Sequence, residues 1–348
     1  MSAMNGIYSI SIAAQATLDM HSLNNEGGEG NQIQTRMVNI IGADGQMHNV
    51  NAVSGDMFKH IQAEHLHRLA VQAGLPLSEG ARQFNANRVN YDIEAGGALR
   101  DAMDQADNDP DKLDVILSRC AVTDMEGILV TAGNQSLPRK SVVEFGWVVG
   151  LPEYVETDTY FHVKYTTDRS ASARSRSEDE ESRSANIGQA IFHRPASSGI
   201  YAIVLNIETA RIGFNDLAQR YAVDESERLA RLKALLESVL YTFVEPAGAM
   251  RSTQNPHIVD LSGAIAISRD VVPAPCISPL KPTFAAEIEQ VASAINTVRP
   301  SAVGVTRFTS MGEFAQAMAV LIQKATPYRL AMMLSVSPAW TTWTPSPA

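Results

Sequence analysis

Cysteine is nearly missing from this sequence: Cys120 and Cys276 are the only two, and they share no CxxC or metal-ligand spacing. A disulfide framework and a thiolate metal centre are therefore excluded, and reduced, buried thiols in a cytosolic chain are expected. Long apolar runs are missing as well. No stretch of about 18 apolar residues occurs. No basic segment followed by an apolar core opens the sequence, so neither a membrane span nor a secretory signal is expected, and the chain is placed in the cytoplasm. Basic charge is scarce, with 28 Lys and Arg against 38 Asp and Glu and a net charge of -10. Indiscriminate coating of nucleic acid is excluded by that balance; an anionic partner must be met where the few cations gather. A Walker loop, a GxSxG elbow and an HExxH pair are all absent, as is the aromatic signature of ordinary RNA-recognition modules. Base stacking on a sheet face is thus not expected, and backbone contacts from loops are.

What is present supports a real core. A 45% hydrophobic content over 348 residues is enough for one large domain with insertions, or for two domains. Ile7–Asp19 alternates Ile, Ala and Leu against Ser, Gln and Thr, as a strand does. Asn24, Asn25, Gly27, Gly28, Gly30 and Asn31 follow, too small and polar to bury anything, and read as a mobile loop ending at Arg36. Val53-Ser54-Gly55-Asp56 then starts a helix, with Ser54 as cap and an apolar face from Met57 to Ala70, stopping at Gly74. A loop carrying an arginine beside a helix N-terminus is suited to hold a phosphate backbone.

Residues 75–140 read as short helices broken at Gly-Gly and Asn-Asp-Pro, a helical insertion standing off the core and closed by Arg139 and Lys140. Val142–Val149 and Tyr160–Thr166 read as strands. Between Arg169 and Asn186 the chain has no large apolar side chain and reads as a flexible charged tip. Strands resume at Gln189–His193 and Ile200–Ile207, with His193–Gly199 taken as a hairpin return carrying Arg194. Helices are expected at Asp224–Tyr241, Thr283–Thr297 and from Ser310 to Ile322; strands at Ile258–Ile267 and Ala302–Phe308. Pro338–Ala348 is expected to fray. The order strand, helix, strands, helix, strand suits an α+β chain with a ferredoxin-like, RRM-like sheet. His60, His65 and His67 do not share one helical face, so no metal site is read there.

Several separated motifs carry a family resemblance: SLNNEGGEGNQIQTRMV, NAVSGDMFKHIQAEHLHR, FHRPASSGIYA, RIGFND and GAMRSTQNPH. In this order they resemble the DevR-type autoregulator family of CRISPR-associated proteins, the repeated backbone subunits of the type I complex Cascade. The resemblance implies a hand-like molecule: a palm from residues 1–74, 141–160 and 196–348, helical fingers from 75–140, and a thumb hairpin from 160–195. It implies a non-catalytic subunit, needing no cofactor or metal, that polymerises head to tail along CRISPR RNA. Target DNA would be met through the guide, beside fifth- and eighth-family and small Cascade subunits. The residues expected to meet RNA are Arg36, Ser54, Lys59, His60, Arg68, Arg139, Lys140, Arg194, Gly248, Met250 and Arg251.

Two other readings stand beside it. A DNA-binding autoregulator would need a basic recognition helix, for which Asp224–Tyr241 with Arg228, Arg231 and Lys233 is the candidate. A guided ribonuclease would use Asp19, Glu26 or Glu29 with a metal.

Overall fold

The alternating apolar stretch forms strand β1 (Ser9–His21) in the computed structural model, which describes residues 6–29, 32–165, 189–249 and 254–331. The glycine-rich segment after it is not a loop. It folds back as β2 (Asn25–Glu29) and β3 (Gln32–Thr35), because antiparallel pairing uses only backbone groups and needs no side chain to bury. Strands β4 (Met37–Ile41) and β5 (Met47–Val53) close on a turn in which the Gln46 N–H donates to Asp44 Oδ1 and Gly45 sits at φ +77°. Helix α1 (Gly55–Gln72) starts where the sequence indicates: Ser54 Oγ accepts the Met57 N–H at 3.1 Å, and Gly74 past its end lies at φ +65°.

Residues 75–140 contain α2 (Glu79–Arg82), α3 (Val89–Ala95), α4 (Ala98–Asp104), α5 (Asp109–Arg119) and α6 (Ala121–Glu126). A hairpin of β6 (Ile128–Val130) and β7 (Leu137–Arg139) follows. The expectation that this part stands off the core is corrected. Val89, Ile93, Leu113, Ile116, Leu117, Val122 and Met125 are buried in the same apolar cluster as β1 and α1. Its apolar residues are few, but nearly all of them point one way.

After β8 (Val143–Phe145) come two long strands, β9 (Val148–Tyr165) and β10 (Gln189–Ile207), paired antiparallel from Val149–Ala202 out to Tyr165–Gln189. His193–Gly199 is therefore mid-strand and not a hairpin return; Arg194 lies opposite Tyr160. The charged stretch Arg169–Asn186 lies outside the described residues. The chain finishes with β11 (Phe214–Asn215), β12 (Arg220–Tyr221), α7 (Glu225–Val244), β13 (His257–Ser268), α8 (Phe284–Val298), β14 (Val303–Phe308) and α9 (Met311–Lys324).

The main sheet runs β14-β13-β1-β10-β9-β5-β4, antiparallel throughout this path. Helices α1 and α7 lie side by side on one face, tied by Gln62 Nε2 donating to Ser238 Oγ at 2.8 Å. Across the other face run residues 271–282 and α8. Ser11 Oγ donates to the Pro275 carbonyl, Gln15 Nε2 to the Pro279 carbonyl, and Phe284 and Ile288 pack on Ala13 and Ala264. Being covered twice, β1 is buried without alternation from Ile10 to Ala14. The molecule is thus mixed helix and sheet with an antiparallel core. Among the described residues, no helix is long and apolar enough to cross a membrane.

One buried cluster locks the helical segment to this core. Asp124 of α6, fully buried, receives Arg139 Nη2 at 2.6 Å, Arg231 Nη1 at 2.7 Å and the Gly213 N–H at 2.8 Å. Arg139 also donates to the carbonyls of Asp124, Phe214 and Arg211. Arg231 adds the Leu117 carbonyl and Glu227. Asp124→Asn removes the shared negative charge and leaves two buried guanidiniums facing each other. We expect it to cost about 3–5 kcal/mol, read as a lowered urea midpoint at neutral pH.

Candidate nucleic-acid interface

The end of β1, the start of α1 and the loop after α7 meet at one place. Asn24 organises it. Its side-chain oxygen accepts the Ser54 N–H at 3.2 Å, just where α1 begins, while its carbonyl accepts Thr35 Oγ1. Asn51 of β5 continues the network, donating to Thr35 Oγ1 and to the Arg36 carbonyl, both at 3.1 Å, and accepting the Tyr201 hydroxyl at 2.8 Å. Thus one chain of hydrogen bonds fixes the exit of the β2–β3 hairpin against the helix N-terminus.

Three glycine and aromatic positions shape the surface above. A Cβ on Gly55 would lie 2.6 Å from the Phe145 carbonyl, so only glycine lets α1 start so close to β8. Trp147, just past β8, is substantially exposed and carries the Arg36 guanidinium over its ring at 5.3 Å. A Cβ on Gly248 would lie 2.7 Å from Leu23 Cα, and the Ala249 N–H donates to the Leu23 carbonyl. The loop after α7 is thereby pressed onto the residue preceding Asn24. The helix dipole and an arginine on an aromatic ring together favour an anion in this cradle, against the exposed Asp56 carboxylate in the first turn of α1.

The expected RNA-contacting residues divide accordingly. Arg36, Ser54 and Gly248 come together here. Arg194 stands further along the β9–β10 ribbon, partly exposed. Lys59 turns away: its ammonium donates to the Glu126 carbonyl at 3.0 Å and is mostly buried. With Asp56, His60, Arg88 and Glu126 it lines a cavity of about 330 Å³ between α1 and the helical segment. His60 is exposed beside Phe84, their rings 5.6 Å apart. Arg68 pairs with Glu64 on the exposed face of α1. Fourteen residues beyond the cap puts it about 21 Å along the helix.

Arg139 is corrected outright. It is 3% exposed and fully committed to Asp124 and neighbouring carbonyls, so it is a structural cation that no phosphate reaches. Lys140 is exposed but faces Glu208 at 3.3 Å and Glu144 at 3.5 Å. Met250 and Arg251 lie outside the described residues. The candidate recognition helix fails for the same reason as Arg139. Arg228 and Arg231 of α7 are wholly buried and ion-paired, leaving Lys233 as the exposed cation of the three. Duplex reading by this helix is excluded by geometry.

Sequence reasoning missed Asn24, Asn51, Trp147 and Tyr201. Asn24 sat in a stretch read as loop, and its bond to Ser54 spans thirty residues. Only Trp147, a tryptophan just before a glycine-flanked strand, carried any local signal.

Two buried groups, His21 below the cradle and Glu126 beside the cavity lined by Lys59, titrate in opposite senses. Burial pushes His21 down to about 4; its ring packs edge-on to Tyr201 at 4.9 Å, and the phenol is itself driven upward by burial. Burial pushes Glu126 up to about 7, against the pull of Lys59 and Arg88. The lowered His21 contributes stability that is whole above its unfolded value near 6.5 and is lost as pH falls toward 4. The raised Glu126 contributes stability that is whole below its unfolded value near 4.5 and is lost as pH rises through about 7. The two slopes oppose one another, so the wild-type chain should show a shallow profile between them. Glu126→Gln should uncover stability rising by about 3 kcal/mol from pH 4 to 6.5, and His21→Phe should uncover the opposite slope. Denaturant midpoints across pH 4–8 check both; parallel profiles for the two variants would contradict this.

Residues 12–288 match the model of a family described as the CRISPR-associated negative auto-regulator DevR/Csa2. A curated relative, CRISPR-associated protein Cas7/Csa2 1 of Saccharolobus solfataricus, is 23% identical over 259 residues, covering 72% of this chain and 76% of that protein. Among solved structures, a chain of a CRISPR RNA-guided surveillance complex in its pre-nicking state superposes with a TM-score of 0.50 at 13% identity. It covers 91% of this chain and 100% of that one, so the fold is shared.

Proposed function

The chain belongs to the DevR/Csa2 family of CRISPR-associated proteins, and from that premise we propose that it is a backbone subunit of a CRISPR surveillance complex, polymerising along CRISPR RNA. The single observation carrying the RNA contact is the cradle at the start of α1. There Ser54, Asn24, Arg36 over Trp147 and the Gly248 turn converge on an otherwise acidic chain. Helix N–H groups and an arginine hold phosphate without reading bases. Guide bases stay free to pair with target DNA, and specificity comes from that pairing.

A hand-like division supports the same reading. The strand order β13-β1-β10-β9, with α1 and α7 on one face, supports reading this part as a split βαβ, ferredoxin-like palm. Helices α2 to α6 serve as fingers, and the β9–β10 ribbon, reaching well past its neighbours in the sheet, serves as the thumb. Other copies of the chain and the other Cascade subunits are its protein partners, and it acts without catalysis in the cytoplasm.

Arg36→Ala should weaken binding to single-stranded RNA uniformly across sequences and lower the salt slope by about 0.7, one phosphate's worth. Lys140→Ala, whose ammonium faces two carboxylates, should change neither. Equal losses for the two variants, in fluorescence anisotropy at 50 and 200 mM salt, would remove the cradle from the RNA path. Complementary RNA added to the guide-loaded chain with magnesium or manganese should stay intact over hours on a denaturing gel. Cleavage there, abolished by Asp19→Asn, would make the chain a guided ribonuclease instead.

A further inference from the structure

Residues 332–348 read MMLSVSPAWTTWTPSPA, outside the described part of the chain. They contain no Asp, Glu, Lys, Arg or His, yet hold two of the three tryptophans, Trp340 and Trp343, among three prolines. Proline-rich segments of this kind dock into grooves lined by aromatic and apolar side chains, which give the indole rings somewhere to go. The residues just before them are fixed beside the start of β1. Tyr328 N–H donates to the Ile7 carbonyl, its ring packs on Tyr8 at 5.6 Å, and Leu330 N–H donates to the Tyr221 hydroxyl.

At the other end of β1, on the opposite face of the sheet, lies a cavity of about 480 Å³. Leu151, Pro152, Tyr154, Ile200, Leu280 and Pro282 line it, large enough for an indole and a proline ring. The Asp44 carboxylate also lines it, accepting the Gln46 N–H and facing His48 Nε2 at 3.0 Å. It opens beside Gln15, seven residues along β1 from Tyr8, which is about 23 Å at strand rise. Reaching its own cavity would take Trp340, at most about 32 Å from Ala331, round the sheet edge from one face to the other, a path longer than the separation along β1. A second copy, stacked with its cavity toward the first copy's Tyr8 end, is met directly.

We propose that residues 332–348 of one copy dock into this cavity of the next, joining copies head to tail. A donor at one end and an acceptor at the other form a heterologous contact that propagates rather than closes. The proposal rests on reading the chain as a repeating subunit, and it names the surface that does the repeating.

The test uses the full chain and two variants, Trp340→Ala/Trp343→Ala, which lacks the donor, and Tyr154→Arg, which blocks the acceptor. Tyr154 is 57% exposed, so the second variant should keep its fold, and Pro282→Glu serves as an independent blocker. In sedimentation velocity the wild-type chain should associate with rising concentration, and each variant alone should stay monomeric. An equimolar mixture of the donor-less and acceptor-blocked variants should give dimers and nothing larger. Variants that associate like wild type, or a mixture that stays monomeric, would overturn the proposal. So would a red shift of tryptophan emission in Tyr154→Arg with no change in mass, since docking would then lie within one chain. Binding of a short RNA is followed in parallel. Its absence from wild type would sink the proposed function, while the mixing result speaks only to the contact between copies.

Discussion

A carboxylate with no access to water, shared by two arginines that have none either, is the constraint on which this fold turns. Asp124 sits in α6, Arg139 in β7 and Arg231 in α7, and the three meet only when the helical segment is seated on the core. Each charge would be prohibitively costly alone in that environment, and each is neutralised by the others and by carbonyls. The cluster therefore specifies one seating of the segment and rejects the rest. Lys59 of α1 repeats the device nearby, donating to the Glu126 carbonyl at the end of α6. The helical segment is thus tied to α1 by Lys59 and to α7 by Arg231, around an apolar contact.

This use of cations has a consequence for the outer surface. Arg139, Arg228 and Arg231 are consumed inside, and Arg68, Lys140 and Arg220 are paired with acids outside. Where Arg36 lies on an aromatic ring beside a helix N-terminus, the local field can favour phosphate although the total charge is negative. Acidity elsewhere then works in favour of the site, because it keeps nucleic acid from settling anywhere else.

Much of the fold was legible because local rules decide it. The caps at Ser54, Asp224 and Ser310 each accept the expected N–H, and the α7 leucines form one buried face. Strands β1, β13 and β14 lie close to where alternation puts them, whereas β9 begins well before the expected Tyr160 and β4 and β5 are not foreseen at all. What was not legible depends on partners far away in sequence. Asn25–Thr35 has nothing to bury, so only backbone pairing reveals it as a hairpin. Arg139 and Arg194 look alike as residues beside prolines; one is sealed inside by Asp124 and the other stands on a long strand. Arg228 and Arg231 recur at helical spacing as a basic groove-binding face would, and only the neighbours of α7 show that they point inward. The cradle was half legible: Ser54 and Arg36 are visible in the sequence, whereas Asn24 and Asn51, which bring them together, are two asparagines among many.

The order of construction explains why the cradle can be sequence-blind and still well placed. Its parts are backbone N–H groups, the buried Asn24 carboxamide whose oxygen already accepts the Ser54 N–H, a hydroxyl that already accepts the Met57 N–H, and one guanidinium laid over a ring, so no free donor and acceptor edge is presented to a base. Position is supplied from below, by β1 and β5 through Asn24 and Asn51, and by Tyr201 reaching up from β10. β1 is covered on both faces, so it cannot shift register without exposing the core. In the proposed function a rigid sheet would set where a phosphate sits, and a surface that presents no base edge would leave open which nucleotide carries it. A subunit repeated along a guide would need that combination, since each copy would meet a different sequence.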